Sequence, residues 1–159
     1  MFSASGFWDY SLKVYALTEV KDLCLDLQNR YGFNVNLLLL CGYLERKSLG
    51  LSSVDINKLQ QDIAQIDRQT QLIRNKRVAV KKSEPKQYQQ LLKNELELEK
   101  LQQQQLIDSL ATITFVRQDM SNLHTYRSNM PYSQGQELGN MITKLEGLAT
   151  QFEMENDDR

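Results

Sequence analysis

The sequence predicts an all-α protein: a compact three-helix N-terminal module, then a long antiparallel helical hairpin and an amphipathic C-terminal helix. Three observations carry this. Only 7 Gly and 2 Pro occur in 159 residues, too few for the many turns of a sandwich or barrel. Apolar residues recur at i, i+3, i+4 and i+7 along most of the chain. A heptad also runs without a fault through Ile56, Leu59, Ile63, Ile66, Thr70, Ile73, Arg77 and Val80, the pattern of a helix that pairs with another helix.

The first helix is expected from about Gly6 to Ala16, capped by Ser3 or Ser5. Phe7, Trp8, Leu12, Val14 and Tyr15 give it so much apolar surface that it must dock. Thr18 caps a second helix, with Glu19 in its first turn, where the helix dipole favours an anion. Val20, Leu23, Cys24, Leu27 and Tyr31 form its stripe. Gly32 ends it, since glycine takes the left-handed conformation without a Cβ penalty. Asn34 then caps a third helix, its side-chain oxygen accepting from the backbone N–H of Asn36 or Leu37. Leu37 to Leu44 is apolar nearly all round, which marks a central buried helix. Gly42, in mid-helix, is expected to admit a close neighbour.

After Gly50 the character changes. Ser52 and Asp55 form a capping box, and the heptad helix follows. Ser83 is expected to cap the next helix, with Pro85 in its first turn. That helix is expected from about residue 84 to 126, with Leu92, Leu96, Glu99, Gln103, Leu106, Leu110 and Ile113 on one stripe. The β-branched "ATITFV" has no partner strand and is kept helical. "YRSNMPYSQGQ" reads as a loop. A last helix from about Gln134 to Glu153 carries Leu138, Met141, Ile142, Leu145, Leu148 and Phe152, before an acidic tail. The expected domains are a family module over 1–50 and the hairpin with its terminal helix over 51–159, read as one folding unit.

Three blocks in the N-terminal third carry a resemblance: "FWDYSLKVY" at Phe7–Tyr15, "CLDLQ" at Cys24–Gln28 and "GFNVNLLLLC" at Gly32–Cys41. Their order and spacing resemble a family of proteobacterial conserved hypothetical proteins of about this length. In that family the second and third blocks read C-L-x-L-Q and G-x-[DN]-V-N-L-L-L. Asn34 stands where Asp is commoner, and either caps a helix. The resemblance implies a helical fold and a bacterial cytoplasm, and it assigns no activity.

The net charge is -1, so no global field commits the chain to nucleic acid or membrane. The longest apolar run, Leu37 to Leu44, falls short of the roughly 20 residues of a membrane span. The N-terminus has no signal-peptide pattern. A cytoplasmic protein without a membrane segment is expected. Cys24 and Cys41 sit in apolar helical patterns and read as buried free thiols.

Candidate sites follow from residues that sit oddly in this scheme. Asn36, an amide in a greasy helix, needs its hydrogen bonds met. It either anchors a polar ligand or ties the helix start to a neighbour. Trp8, Tyr15, Gln28, Asn34 and Tyr43 could surround it as a pocket, with Tyr10 and Tyr31 nearby, or form core. Arg74, Lys76, Arg77, Lys81 and Lys82 make a basic cluster at the expected hairpin tip, which contacts phosphates or is a solvated face. No Ser-His-Asp set, P-loop, GxGxxG, HExxH or DxDxD loop occurs. Asp22 and Asp26 share a helix face but lack the Glu-x-x-His motifs of carboxylate bundles. No cofactor, metal or enzyme activity is expected.

The function expected first is a noncatalytic protein that binds another protein, or a second copy of itself, through helical surfaces. The alternatives are an RNA- or ribosome-associated factor using the basic tip, and a small-molecule module at Asn36 and the aromatics.

Overall fold

The computed structural model describes residues 2–80, 83–131 and 133–152. Lys81, Lys82 and the acidic tail lie outside them. Seven α-helices and no strand occur among the described residues: α1 Ala4–Tyr15, α2 Thr18–Tyr31, α3 Val35–Arg46, α4 Ser53–Ala79, α5 Pro85–Leu110, α6 Asn122–Ser128 and α7 Gln136–Gln151.

The helix starts follow side-chain chemistry. Ser3 caps α1 by accepting from the N–H of Gly6. Asn34 caps α3 through Leu37, not Asn36. Ser52 and Asp55 close a reciprocal capping box on α4. Two expected caps fail. Thr18 is already the first residue of α2, after Leu17. Glu84, without a side-chain cap bond, precedes α5, and Pro85 takes the first-turn place that its fixed φ suits. Gly32 ends α2 at φ 77°, in the left-handed region.

α3 is the hub. Leu37 to Gly42 and Leu44 are buried in it, and α3 touches α1, α2, α5, α6 and α7. Fully burying each leucine there contributes about 1.5–3 kcal/mol. Gly42 admits two neighbours: a Cβ built there would stand 2.9 Å from Tyr10 Oη and 3.0 Å from Ala149 Cβ. One continuous core joins the N-terminal trio to α4, α5, α6 and α7.

α4 and α5 form the antiparallel pair. Arg77 meets Glu95, Thr70 meets Gln102, and Asp62 lies by Ser109, so one number falls as the other rises. The heptad is used within the chain: Ile56, Leu59, Ile63 and Thr70 are buried.

The structure corrects the second half in several places. α5 ends at Leu110, and 111–121 is irregular before the short α6. Thr112, Ile113, Thr114 and Val116 are poor helix formers. Their path runs so close to Gly50 that a Cβ there would meet Val116 O at 2.4 Å. Asn122 fixes the crossing. Its Oδ1 accepts from Leu51 N at 2.8 Å, and its Nδ2 donates to Leu49 O at 2.8 Å. The expected stripe on α5 holds from Gln103 to Leu110, but Leu96 is 43% exposed and Glu95 takes the inner position, and Ile113 is buried from beyond the helix end. The loop is also shorter than expected, because Tyr126, Arg127 and Ser128 belong to α6. α7 begins at Gln136 rather than Gln134.

Candidate binding cleft

A cleft of about 530 Å³ opens between the N-terminal trio and the α4–α5 hairpin. α1 contributes Trp8, Leu12 and Tyr15, and α2 contributes Leu25 and Gln28. Asn34 and Asn36 come from the start of α3. Asp67, Arg74 and Arg77 come from α4, and Glu95, Glu99, Gln102 and Gln103 from α5. Five of the six expected pocket residues therefore meet: Trp8, Tyr15, Gln28, Asn34 and Asn36. Tyr43 does not. It packs beside Phe7 and Tyr10, with ring centroids 5.4 and 5.1 Å away, on another side of α1. Tyr10 is fully buried and donates to Ala149 O at 3.2 Å.

The floor of the cleft is a chain of amides whose orientation is fixed by two hydroxyls. Ser11 Oγ donates to Phe7 O, and Thr70 Oγ1 donates to Ile66 O, both at 2.8 Å and one turn back. Their protons are thereby used, so each oxygen accepts from the glutamine facing it. Gln103 Nε2 donates to Ser11 Oγ at 3.0 Å, and Gln102 Nε2 donates to Thr70 Oγ1 at 2.8 Å. Gln102 Oε1 then accepts from Asn34 Nδ2 at 3.0 Å and Asn36 Nδ2 at 3.1 Å. Asn36 Oδ1 accepts from Gln103 Nε2 at 3.1 Å. Asn36 is thus bonded to the protein itself. One atom is left over: Gln103 Oε1 is buried and has no hydrogen-bond partner among the described residues.

Charge is paired on the hairpin side. Glu95, 8% exposed, accepts from Arg77 Nε at 2.5 Å and Arg74 Nε at 3.4 Å. Glu99 lies 3.9 Å from Arg74 Nη2. Burial, then the nearby Glu95, pushes the Glu99 carboxyl above its ordinary value, while Arg74 and Arg77 oppose that shift. Burial likewise raises Asp67, against hydrogen bonds from Asn34 and Gln71. Tyr15 is pushed up to about 12, mainly by burial and then by Cys24 and Glu99.

The expected basic cluster is thus divided. Arg74 and Arg77 point their guanidiniums at Glu95, Lys76 is exposed, and Lys81 and Lys82 lie outside the described residues. Cys24 and Cys41 are buried free thiols. Among the described residues no group of three metal-ligating side chains gathers. No described helix is long and apolar enough to cross a membrane. His124 Nε2 lies 3.1 Å from Thr143 Oγ1, beside a second depression of about 750 Å³ whose lining residues are all at least partly exposed.

Sequence reasoning missed Gln102, Glu95 and Asp67. Gln102 reads as surface filler within "LQQQQ". A signal did exist: Gln103 falls on the stripe of Leu106 and Leu110, and a glutamine in that phase needs partners.

Fold and cleft together define a helical protein with a polar-floored groove between a three-helix module and a hairpin. The chain belongs to a family of proteins of unknown function, DUF2390, whose model matches residues 6–106. That span extends well past the three N-terminal sequence blocks and includes all the residues that line the cleft. No curated protein and no solved structure matches the chain.

Proposed function

We propose that the protein is a noncatalytic binding module and that the cleft is its ligand site. One observation carries this reading: helices remote in sequence bring Trp8, Tyr15, Gln28, Asn34 and Asn36 onto a floor of oriented amides in a cleft of about 530 Å³. That volume is within the usual range for small organic ligands, and apolar walls with a few fixed polar groups are the usual lining. The noncatalytic part rests on how the acidic groups are used. Glu95 is held by two arginines, and Asp67 by Asn34 and Gln71.

A protein partner is the second reading. The heptad seam is used inside the chain, so it offers little surface to a partner or a second copy. The rim of the cleft is different: Leu12, Val78 and Leu96 are 54%, 72% and 43% exposed. A partner's segment would cover them. The nucleic-acid reading draws less support, because Arg74 and Arg77 already answer Glu95.

The test is amide shift mapping of the whole chain against a library of small organic fragments. Hits should perturb Trp8, Asn36 and Glu99 together. Hits that scatter, or that collect beside His124, would contradict the reading.

A further inference from the structure

The cleft's unmet chemistry is one-sided. Glu99 and Gln103 stand one turn apart on the same face of α5. Gln103 is 2% exposed, and its Oε1 is the acceptor that the amide chain leaves without a donor. A buried unsatisfied acceptor is costly, and native structures carry few. Glu99 is half-buried and accepts no hydrogen bond among the described residues; Arg74 approaches it no closer than 3.9 Å, and Arg77 acts on it from farther off. Arg74 and Arg77 are engaged closer in by Glu95. Three carboxylates, Asp67, Glu95 and Glu99, face these two guanidiniums. The remaining cation of the lining, Lys21, is exposed at the α2 edge.

We propose that the cleft binds a small organic cation whose primary ammonium group donates to Gln103 Oε1 and pairs with Glu99. An anion would meet Glu95 and Glu99 with no unengaged guanidinium to receive it. A neutral donor would satisfy Gln103 and leave Glu99 unmatched. The ligand's carbon skeleton lies against Trp8, Leu12 and Tyr15. Gln103 Oε1 is covered in this arrangement, so side chains of the cleft part as the ammonium enters. This inference rests on the cleft being the ligand site.

The experiment titrates the whole chain with 2-phenylethylammonium and with its neutral isostere 2-phenylethanol. It follows the fluorescence of Trp8, the single tryptophan, and the side-chain amide resonance of Gln103. The ammonium compound should bind at least about tenfold more tightly than the alcohol, the size of a charge-assisted hydrogen bond, and should shift the Gln103 amide. Glu99→Gln removes the charge at a position that accepts no hydrogen bond among the described residues, and should bring the two affinities together. Equal binding of both compounds at the cleft would overturn the cation, and a preference that survives Glu99→Gln would overturn its pairing with Glu99; either result leaves the cleft reading standing. A third arm uses a blocked pentapeptide with one central lysine. Tighter binding of that peptide would overturn the small-molecule source and place the ammonium on a polypeptide side chain.

Discussion

Asn36 Oδ1 accepts a hydrogen bond from Gln103 Nε2 at 3.1 Å, joining the first turn of α3 to α5 across 67 residues of chain. Through Gln102 the same link reaches Asn34 and Thr70. The N-terminal helices and the hairpin therefore share one polar seam, and that seam is the floor of the cleft.

The close approach at Gly42 predicts intolerance to size. Gly42→Val puts branched carbon where Tyr10 Oη and Ala149 Cβ already stand within 3.0 Å of a single added atom. It also strains the bond from Tyr10 to Ala149 O. Overpacking of this kind costs about 1–3 kcal/mol. Urea unfolding should show a lower midpoint with an unchanged slope.

Stability should rise on mild acidification. Glu99 and Asp67 have folded-state pKa values above their ordinary 4.5 and 3.8, chiefly through burial. Glu45 shifts the same way. In the window above those ordinary values the folded chain holds more protons than the unfolded one. Its stability therefore falls as pH rises through that window and recovers as pH falls. Asp62 shifts the other way, through Lys58, and acts below its ordinary value. Thermal melts from pH 7 down to pH 5 should move upward, and Glu99→Gln should flatten the trend. A downward trend would contradict the burial of these carboxyls.

Both thiols should be silent in the folded protein. Burial pushes Cys24 up to about 12 and raises Cys41 further, and only the thiolate attacks. A colorimetric disulfide reagent at pH 8 should find essentially no reactive thiol in the native chain. It should find both after denaturation.

The sequence made the first half of the fold readable because its signals are local. Asn34, Gly32 and the Ser52–Asp55 box act within four residues, and Leu37 to Leu44 declares its burial by composition. The end of α5 was harder. Whether "ATITFV" continues a helix depends on the link at Leu49, Gly50 and Leu51, which is distant in the chain and which Val116 and Asn122 meet. The cleft was half legible. Asn36 stood out as an amide among leucines, whereas Gln102 was hidden among four consecutive glutamines that propensity alone assigns to a helix surface. Glu95 was missed because Leu96, its neighbour, looked the better core residue. The two arginines on α4 pull Glu95 inward and leave Leu96 at the rim.

The most direct test of the seam is a double-mutant cycle at Asn36 and Gln103, with leucine at each position and stability read from urea unfolding. Each single change should cost about 2 kcal/mol, because it strands buried polar partners. The pair together should cost less than the sum, by at least about 1 kcal/mol, since the two residues are bonded to each other. Additivity within about 0.3 kcal/mol would contradict the link between α3 and α5 on which the cleft is built.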